Sequence, residues 1–134
     1  MREILFRGKR VDNGEWVEGG ILQFEDYVAI VRHSDYHEWH DFVEVLPETV
    51  GQYTGLTDKN GKRIFEGDIV YCIANADCGN CVVIFEDGEF RLVPDRYYKT
   101  YTTGGGYHAI RCFIKEVIGN IHDNPELIGG AVNA

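Results

Sequence analysis

The sequence predicts an all-β fold made of short antiparallel strands, with minimal helix. Sixteen glycines against three prolines in 134 residues indicate many tight turns. Tyr, Phe, Val and Ile are frequent, and these residues suit strands better than helices. Pairs of turn residues repeatedly separate short apolar segments, and no long segment has the apolar period of a helix. A chain of this length fits one domain, or two small subdomains that share a core.

Turn signals divide the chain into predicted hairpins. An Asn-Gly or Asp-Gly pair between two apolar segments is a strong hairpin signal, because both residues tolerate positive φ. Three such pairs lie in Asp12-Asn13-Gly14, Asn60-Gly61 and Asp87-Gly88, and Glu25-Asp26 is a fourth turn signal, between two apolar segments. Each of them predicts that the strands on its two sides pair with one another.

The remaining elements follow from local composition. Residues 81–85 are apolar on both faces, which predicts a central strand covered on both sides. Pro47 and Pro125 each suit the first position of a single helical turn. Gly67-Asp68 before an apolar strand looks like the start of a small SH3-like barrel. We therefore predict one domain over 1–134. Its subdivision is an N-terminal sheet over 1–46, a partly closed SH3-like barrel over 58–123 and a terminal tail over 124–134.

Composition also bears on function. The net charge of −9 removes the general attraction to phosphates on which nucleic-acid binders depend, so nucleic acid is not the expected partner. The apolar runs are far shorter than the roughly 18 residues that a membrane span needs. No signal-peptide pattern is visible at the N-terminus, which predicts a cytoplasmic protein. We see no nucleophile motif and no phosphate-binding loop, and we predict no enzyme activity and no cofactor.

The cysteines and histidines are the candidate metal ligands. Cys78-Gly79-Asn80-Cys81 has the spacing of a zinc knuckle, and Cys72 and Cys112 would complete a four-cysteine site. The alternative is that Cys72 and Cys112 are small buried residues of strands. His33, His37 and His40 would be a second possible ligand set, but their surroundings read as a polar loop.

Two segments are the candidate contact surfaces. Residues 94–108 hold two basic residues, four tyrosines and three consecutive glycines, and residues 32–41 are polar and aromatic. Tyrosine offers a large contact area at a low entropy cost, which favours protein contacts. Tyrosine stacking with basic residues also suits single-stranded nucleic acid. The predicted contact residues are Arg96, Tyr97, Tyr98, Lys99, Tyr101 and Tyr107 in the first segment, and Tyr36 and Trp39 in the second.

Three blocks of the sequence resemble the YopX proteins of bacteriophages and prophages. They are Phe6-Arg7-Gly8-Lys9-Arg10, residues 46–70 (LPETVGQYTGLTDKNGKRIFEGDIV) and residues 117–127 (VIGNIHDNPEL). The resemblance implies a YopX-like fold and a bacterial host, and it carries no catalytic role.

The function expected is that of a non-enzymatic phage or prophage accessory protein that acts through protein contacts, as a homo-oligomer. Its partners would be further copies of itself and an unidentified phage or host protein. The alternatives are a nucleic-acid-binding module that uses residues 94–108 together with Arg2, Arg7, Lys9 and Arg10, and a metal-dependent enzyme.

Overall fold

A computed structural model of the protein describes residues 2–32, 42–73, 79–99, 108–109 and 114–128. Over these residues the fold is all-β with little helix, as the sequence predicted. The strands are β1 (Phe6–Lys9), β2 (Trp16–Gln23), β3 (Val28–Val31), β4 (Phe42–Val45), β5 (Gly51–Thr57), β6 (Arg63–Phe65), β7 (Asp68–Cys72), β8 (Gly79–Glu86), β9 (Glu89–Pro94), β10 (His108–Ala109) and β11 (Ile114–Asn120). One helical turn, α1 (Asp95–Tyr98), and two 3₁₀ turns (Pro47–Thr49 and Pro125–Leu127) accompany them.

The strands form two antiparallel sheets. Hydrogen bonding orders the first sheet β4-β3-β2-β1-β5-β6 and the second β10-β9-β8-β7-β11. All four predicted turns lie between neighbouring strands of a sheet, which confirms the hairpin predictions. Contacts divide the chain into a first unit, Met1–Gly55, and a second unit, Leu56–Ala134, and β5 runs across the boundary.

The core of the first unit lies on one face of its strands. Val17, Ile30 and Val45 are buried there, and Phe6 and Ile21 pack against them. Arg10 forms an antiparallel bridge with Val45, so the end of β1 reaches the end of β4. This close approach limits the size of the side chains that face the core where β1 and β4 meet.

The second unit is built around β8, the central strand of its sheet. Cys81 and Val83 belong to an apolar cluster on one face, and Val82 belongs to another cluster with Ile69 and Ile128. Successive side chains of a strand point to opposite faces, so β8 is covered on both sides, as its sequence predicted. Ile128, in the segment assigned to the terminal tail, is buried in this second cluster.

The order of the strands does not decide whether the second sheet forms the predicted partly closed barrel. Over the described residues β10 and β11 are the two edges of the second sheet, and no closed barrel is found among these strands. The partly closed barrel over 58–123 therefore stays a prediction. Within the same residues no helix is long and apolar enough to cross a membrane.

Candidate contact surface

The side of β2, β3 and β4 that faces away from the core carries large apolar side chains. Ile21, Ile30 and Val43 point inward, so the residues that alternate with them point outward. Leu22 is 37% exposed, Phe24 is 43% exposed and Phe42 is 40% exposed. Glu44 is also exposed on this side. We call the surface formed by Leu22, Phe24, Phe42 and Glu44 the outer face.

Strand register fixes the outer face. Leu22 and Glu44 both stand opposite Ala29, which is buried between them on the central strand. Phe24 follows the end of β2, and its ring stacks on the ring of Tyr27 with centroids 4.5 Å apart and planes at 20°. The Phe24 N–H also donates to the Tyr27 carbonyl oxygen at 2.8 Å. Leu22 and Phe24 are thus held in place by the β2–β3 hairpin.

The rim of the outer face is acidic. Glu25 and Asp26 form the exposed turn between β2 and β3. With Glu44 on the face itself, three carboxylates stand beside the exposed apolar side chains. The outer face therefore suits a partner surface that offers apolar area together with positive charge.

The described part of the predicted loop 94–108 presents a basic turn. Arg96, Tyr97 and Lys99 are exposed, and we call these three residues the basic turn. Tyr97 is 45% exposed, and the Arg96 guanidinium lies 4.8 Å from the centroid of its ring. Tyr98 instead packs against the cluster of Ile69, Val82 and Ile128. Burial raises the pKa of the Tyr98 phenol, and the charge of Glu66 adds to the shift.

The structure thus separates the predicted contact residues. Arg96, Tyr97 and Lys99 are exposed together, whereas Tyr98 anchors α1 to the core. The other four predicted contact residues lie outside the described residues; they are Tyr36, Trp39, Tyr101 and Tyr107. Sequence reasoning missed the outer face. Its signal was the adjacent apolar pair Ile21-Leu22, since only one residue of such a pair can point to a one-sided core.

The cations near the N-terminus are engaged within the first unit. The Arg7 guanidinium lies 4.6 Å from the centroid of the Trp16 ring, and the Lys9 ammonium lies 5.5 Å from it. Arg10 donates twice to the Asp12 carboxylate, at 2.9 Å and 2.8 Å. The Arg10 hydrogen bond holds the pKa of Asp12 below its usual value. These residues were the cations assigned to the nucleic-acid alternative, together with Arg2.

Two of the candidate metal ligands are buried thiols. Cys72 and Cys81 belong to one apolar cluster with Val70 and Val83. Cys78 and Cys112, and also His33, His37 and His40, lie outside the described residues. Among the residues that the structure does describe, no cluster of three potential metal ligands occurs. The metal-dependent alternative stays a prediction, and metal analysis of protein purified without added zinc would test it.

Comparison with protein families gives one match. The family model described as YopX protein matches residues 5–129, nearly the whole chain. The chain belongs to the YopX family. None of the curated proteins matches it.

Two of the three blocks that carry the YopX resemblance are joined by hydrogen bonds within the second unit. Asp58, in the second block, accepts a hydrogen bond from the Val117 N–H of the third block at 2.9 Å. The Gly67 carbonyl oxygen accepts one from the Ile121 N–H, also at 2.9 Å. In this YopX family chain the second and third blocks therefore build the framework, and the residues of the outer face and of the basic turn lie outside these two blocks.

Asp58 is the best-connected carboxylate of that framework. Its side chain also accepts hydrogen bonds from the Asn60 and Lys62 N–H groups, at 2.8 and 2.9 Å. Burial by itself would raise the pKa of Asp58, but these N–H groups, that of Val117 and the Lys62 charge outweigh burial, so the pKa is lowered. Asp68 is fully buried and accepts from the Phe65 N–H at 2.7 Å. Both carboxylates have a structural role in closing turns of this YopX family chain.

The acids of the β8–β9 hairpin surround one arginine. Arg91 contacts Glu89 at 2.6 Å, Glu86 at 3.2 Å and Asp87 at 3.7 Å. The hydrogen bond to Glu89 is the main cause that raises the pKa of Arg91, and the charges of the three carboxylates add to it. These contacts tie the three acids of the hairpin to a single cation.

Proposed function

We propose that this YopX family chain is a phage- or prophage-encoded accessory protein that acts in the cytoplasm of a bacterial host. It works without catalysing a reaction, through contacts with other proteins and with further copies of itself. The outer face is the observation that carries the proposal. Exposed apolar patches with a polar rim are typical of protein contact sites on soluble proteins.

The arrangement of the outer face supports this reading in two ways. Leu22, Phe24 and Phe42 are each more than one-third exposed although the core on the other side of the same strands is well buried. The side chains also stand on paired strands and a hairpin rather than on an isolated loop. A rigid surface loses little conformational entropy on binding, which favours association.

The test is recovery of the tagged protein from host lysate during prophage induction, with and without nuclease. The wild type is compared with the double variant Leu22→Ser/Phe42→Ser. Ile4→Ser is the matched control, because Ile4 is an exposed apolar residue of the first unit just before β1. We expect a partner that survives nuclease, is lost with the double variant and is kept with the control. Retention of the partner by the double variant would contradict the outer face, and loss with nuclease would contradict protein contact.

We further infer that the second sheet curls into the partly closed SH3-like barrel that the sequence suggested. Ala109 lies level with Ile84 of β8, and Ile114 lies level with Gly79. In a flat sheet these edge residues would be about 25 Å apart, from about 3.4 Å per residue along a strand and about 4.8 Å between strands. The chain from Ala109 to Ile114 spans at most about 18 Å. The two edges of the sheet, β10 and β11, must therefore approach each other. A crystal structure in which the strand direction changes little across the sheet from β10 to β11 would contradict this inference.

A nucleic-acid-binding role is the second candidate, and the basic turn is the observation that favours it. Arg96 and Lys99 are both exposed, and the Arg96 guanidinium lies 4.8 Å from the centroid of the exposed Tyr97 ring. This reading predicts salt-dependent binding to a single-stranded oligonucleotide that is lost in Arg96→Ala/Lys99→Ala. The net charge of −9 opposes it, and binding that does not change with salt concentration would contradict it.

A further inference from the structure

The chain carries two exposed surfaces of opposite charge that are chemically complementary. The outer face combines apolar side chains with Glu44 and, at its rim, Glu25 and Asp26. The basic turn combines the half-exposed Tyr97 ring with the side chains of Arg96 and Lys99. Complementary charge around apolar contact area gives both specificity and fast association.

We propose that the outer face of one copy binds the basic turn of a second copy. This inference rests on the proposed function, and it names the occupant of the outer face and the residues that both copies contribute. The Tyr97 ring packs on the exposed Leu22 and Phe42 side chains. Arg96 and Lys99 then face the carboxylates of the outer face.

Charge explains why the outer face does not bind its own equivalent on a second copy. Two outer faces in contact would bring Glu25, Asp26 and Glu44 of each copy against the same three carboxylates. Like charges brought together at an interface are costly. The complement must therefore come from another surface, and the basic turn offers two exposed cations beside an exposed aromatic ring.

The basic turn is also held firmly enough to act as a docking element. Tyr98 packs against Ile69, Val82 and Ile128, so the core fixes the turn from below. The neighbouring Arg96 guanidinium lies over the Tyr97 ring. The Arg96 cation and the Tyr97 ring are thus presented together, which lowers the entropy cost of binding.

Each copy has one outer face and one basic turn, so the contact is between unlike surfaces. Such a contact closes into a ring or a reciprocal pair if the geometry allows, and otherwise extends into a chain of copies. A fixed mass over the concentration range indicates closure, and a mass that keeps growing indicates extension. Either result agrees with the proposed contact.

A charge-swap experiment tests the proposal by light scattering and analytical ultracentrifugation. Glu44→Lys alters the outer face, and Arg96→Glu/Lys99→Glu alters the basic turn. Glu48→Lys is the matched control, because Glu48 is an exposed acid of the first unit in the 3₁₀ turn and is not among the residues that form the outer face. Each surface variant should associate with itself at least about tenfold more weakly than the wild type. An equimolar mixture of the two variants should regain most of the lost affinity.

Leu22→Ser provides a variant that does not change charge. It removes exposed apolar area from the outer face and should weaken association by about tenfold as well. Added salt should weaken the wild-type contact, because salt screens the charges on the two surfaces. A contact made by apolar side chains alone would not be weakened in this way.

The outcomes separate this inference from the proposal on which it rests. If the wild type associates and Glu44→Lys behaves as Glu48→Lys does, the outer face is not the contact, although self-association stands. If both surface variants are weakened but their mixture is not restored, the two surfaces do not bind each other. If the wild type is a monomer at every concentration, this inference and the homo-oligomer both fail, and the capture experiment alone decides the role in binding other proteins.

Discussion

Replacement of Asp58 by alanine should destabilise the second unit strongly. One oxygen of the Asp58 carboxylate closes the turn before β6, because it accepts hydrogen bonds from the N–H groups of Asn60 and Lys62. The other oxygen holds the N–H of Val117 on β11. A single side chain therefore joins a local turn to a strand that is 59 positions away in sequence.

The expected cost follows from the three hydrogen bonds. The Val117 bond is partly buried and has a charged acceptor, which makes it worth about 1.5–3 kcal/mol. The two turn N–H groups can reach water when the carboxylate is removed, so each should contribute about 0.5–1.5 kcal/mol. Asp58→Ala should thus cost about 2.5–6 kcal/mol. Asp58→Asn keeps one oxygen for the turn but directs an NH₂ group at the Val117 N–H, and it should cost about 1.5–3 kcal/mol.

Urea unfolding followed by far-UV circular dichroism measures the change. Tryptophan fluorescence is less suitable, because both tryptophans, Trp16 and Trp39, precede the second unit in the sequence. Hydrogen exchange at the Val117 amide should accelerate in both variants. Asp12→Asn is the matched control, because the Asp12 carboxylate also accepts hydrogen bonds, from Arg10, but is exposed. We expect no resolvable shift of the urea midpoint in this control. A loss below about 1 kcal/mol in Asp58→Ala, or unchanged exchange at Val117, would refute the reasoning.

The lowered pKa of Asp58 also predicts how this stabilisation depends on pH. A carboxyl whose pKa is lower in the folded protein binds fewer protons there than in the unfolded chain, so stability rises with pH through this range. The contribution of Asp58 is complete above the unfolded-state pKa of about 3.9 and is lost as pH falls through the lower folded-state pKa. The stability difference between the wild type and Asp58→Asn should therefore be constant from pH 5 to 7 and shrink below about pH 4. A constant difference down to pH 2 would contradict this.

Two further substitutions test the packing of each unit by urea unfolding. In the first unit a Cβ on Gly8 would lie 2.9 Å from two carbon atoms of Val45, so Gly8→Ala should cost about 1–3 kcal/mol of stability. Gly20→Ala is the control and should cost nothing, because a Cβ on Gly20 has open space around it. Equal effects of the two substitutions would contradict the close approach of Gly8 to Val45. In the second unit Ile69 is fully buried, so Ile69→Ala should cost about 2–5 kcal/mol of stability. The control is Ile73→Ala, which should change stability by no more than about 0.5 kcal/mol, because Ile73 is 48% exposed. A small loss of stability in Ile69→Ala would show that the cluster around Ile69 is not the core.

Much of the fold was predictable because its signals are local. The Asp87-Gly88 turn needs positive φ at two successive residues, and the structure has φ of 53° and 81° there. The apolar run of residues 81–85 predicted a strand covered on both faces, and its side chains do enter two clusters. Such features depend on steric limits and alternation within a few residues, which the sequence states directly.

The contact surface was only partly predictable. Arg96, Tyr97 and Lys99 were named from composition, and they are exposed. Tyr98 has the same chemistry but is directed into the core, because consecutive residues of a helical turn face different directions. The outer face was missed because Leu22 and Phe42 read as ordinary core residues. Their exposure depends on which side of the sheet the core occupies.

By itself, the sequence determined the family, the all-β class and the turns, since these depend on residue identity, spacing and backbone sterics. Tertiary structure alone decided which apolar residues stay exposed and which distant groups meet. The bond between Asp58 and Val117 joins residues far apart in the chain, and the outer face draws its residues from β2 and β4, which are separated by β3. Strand order and register set both, because a shift of one residue reverses the face to which every side chain of a strand points.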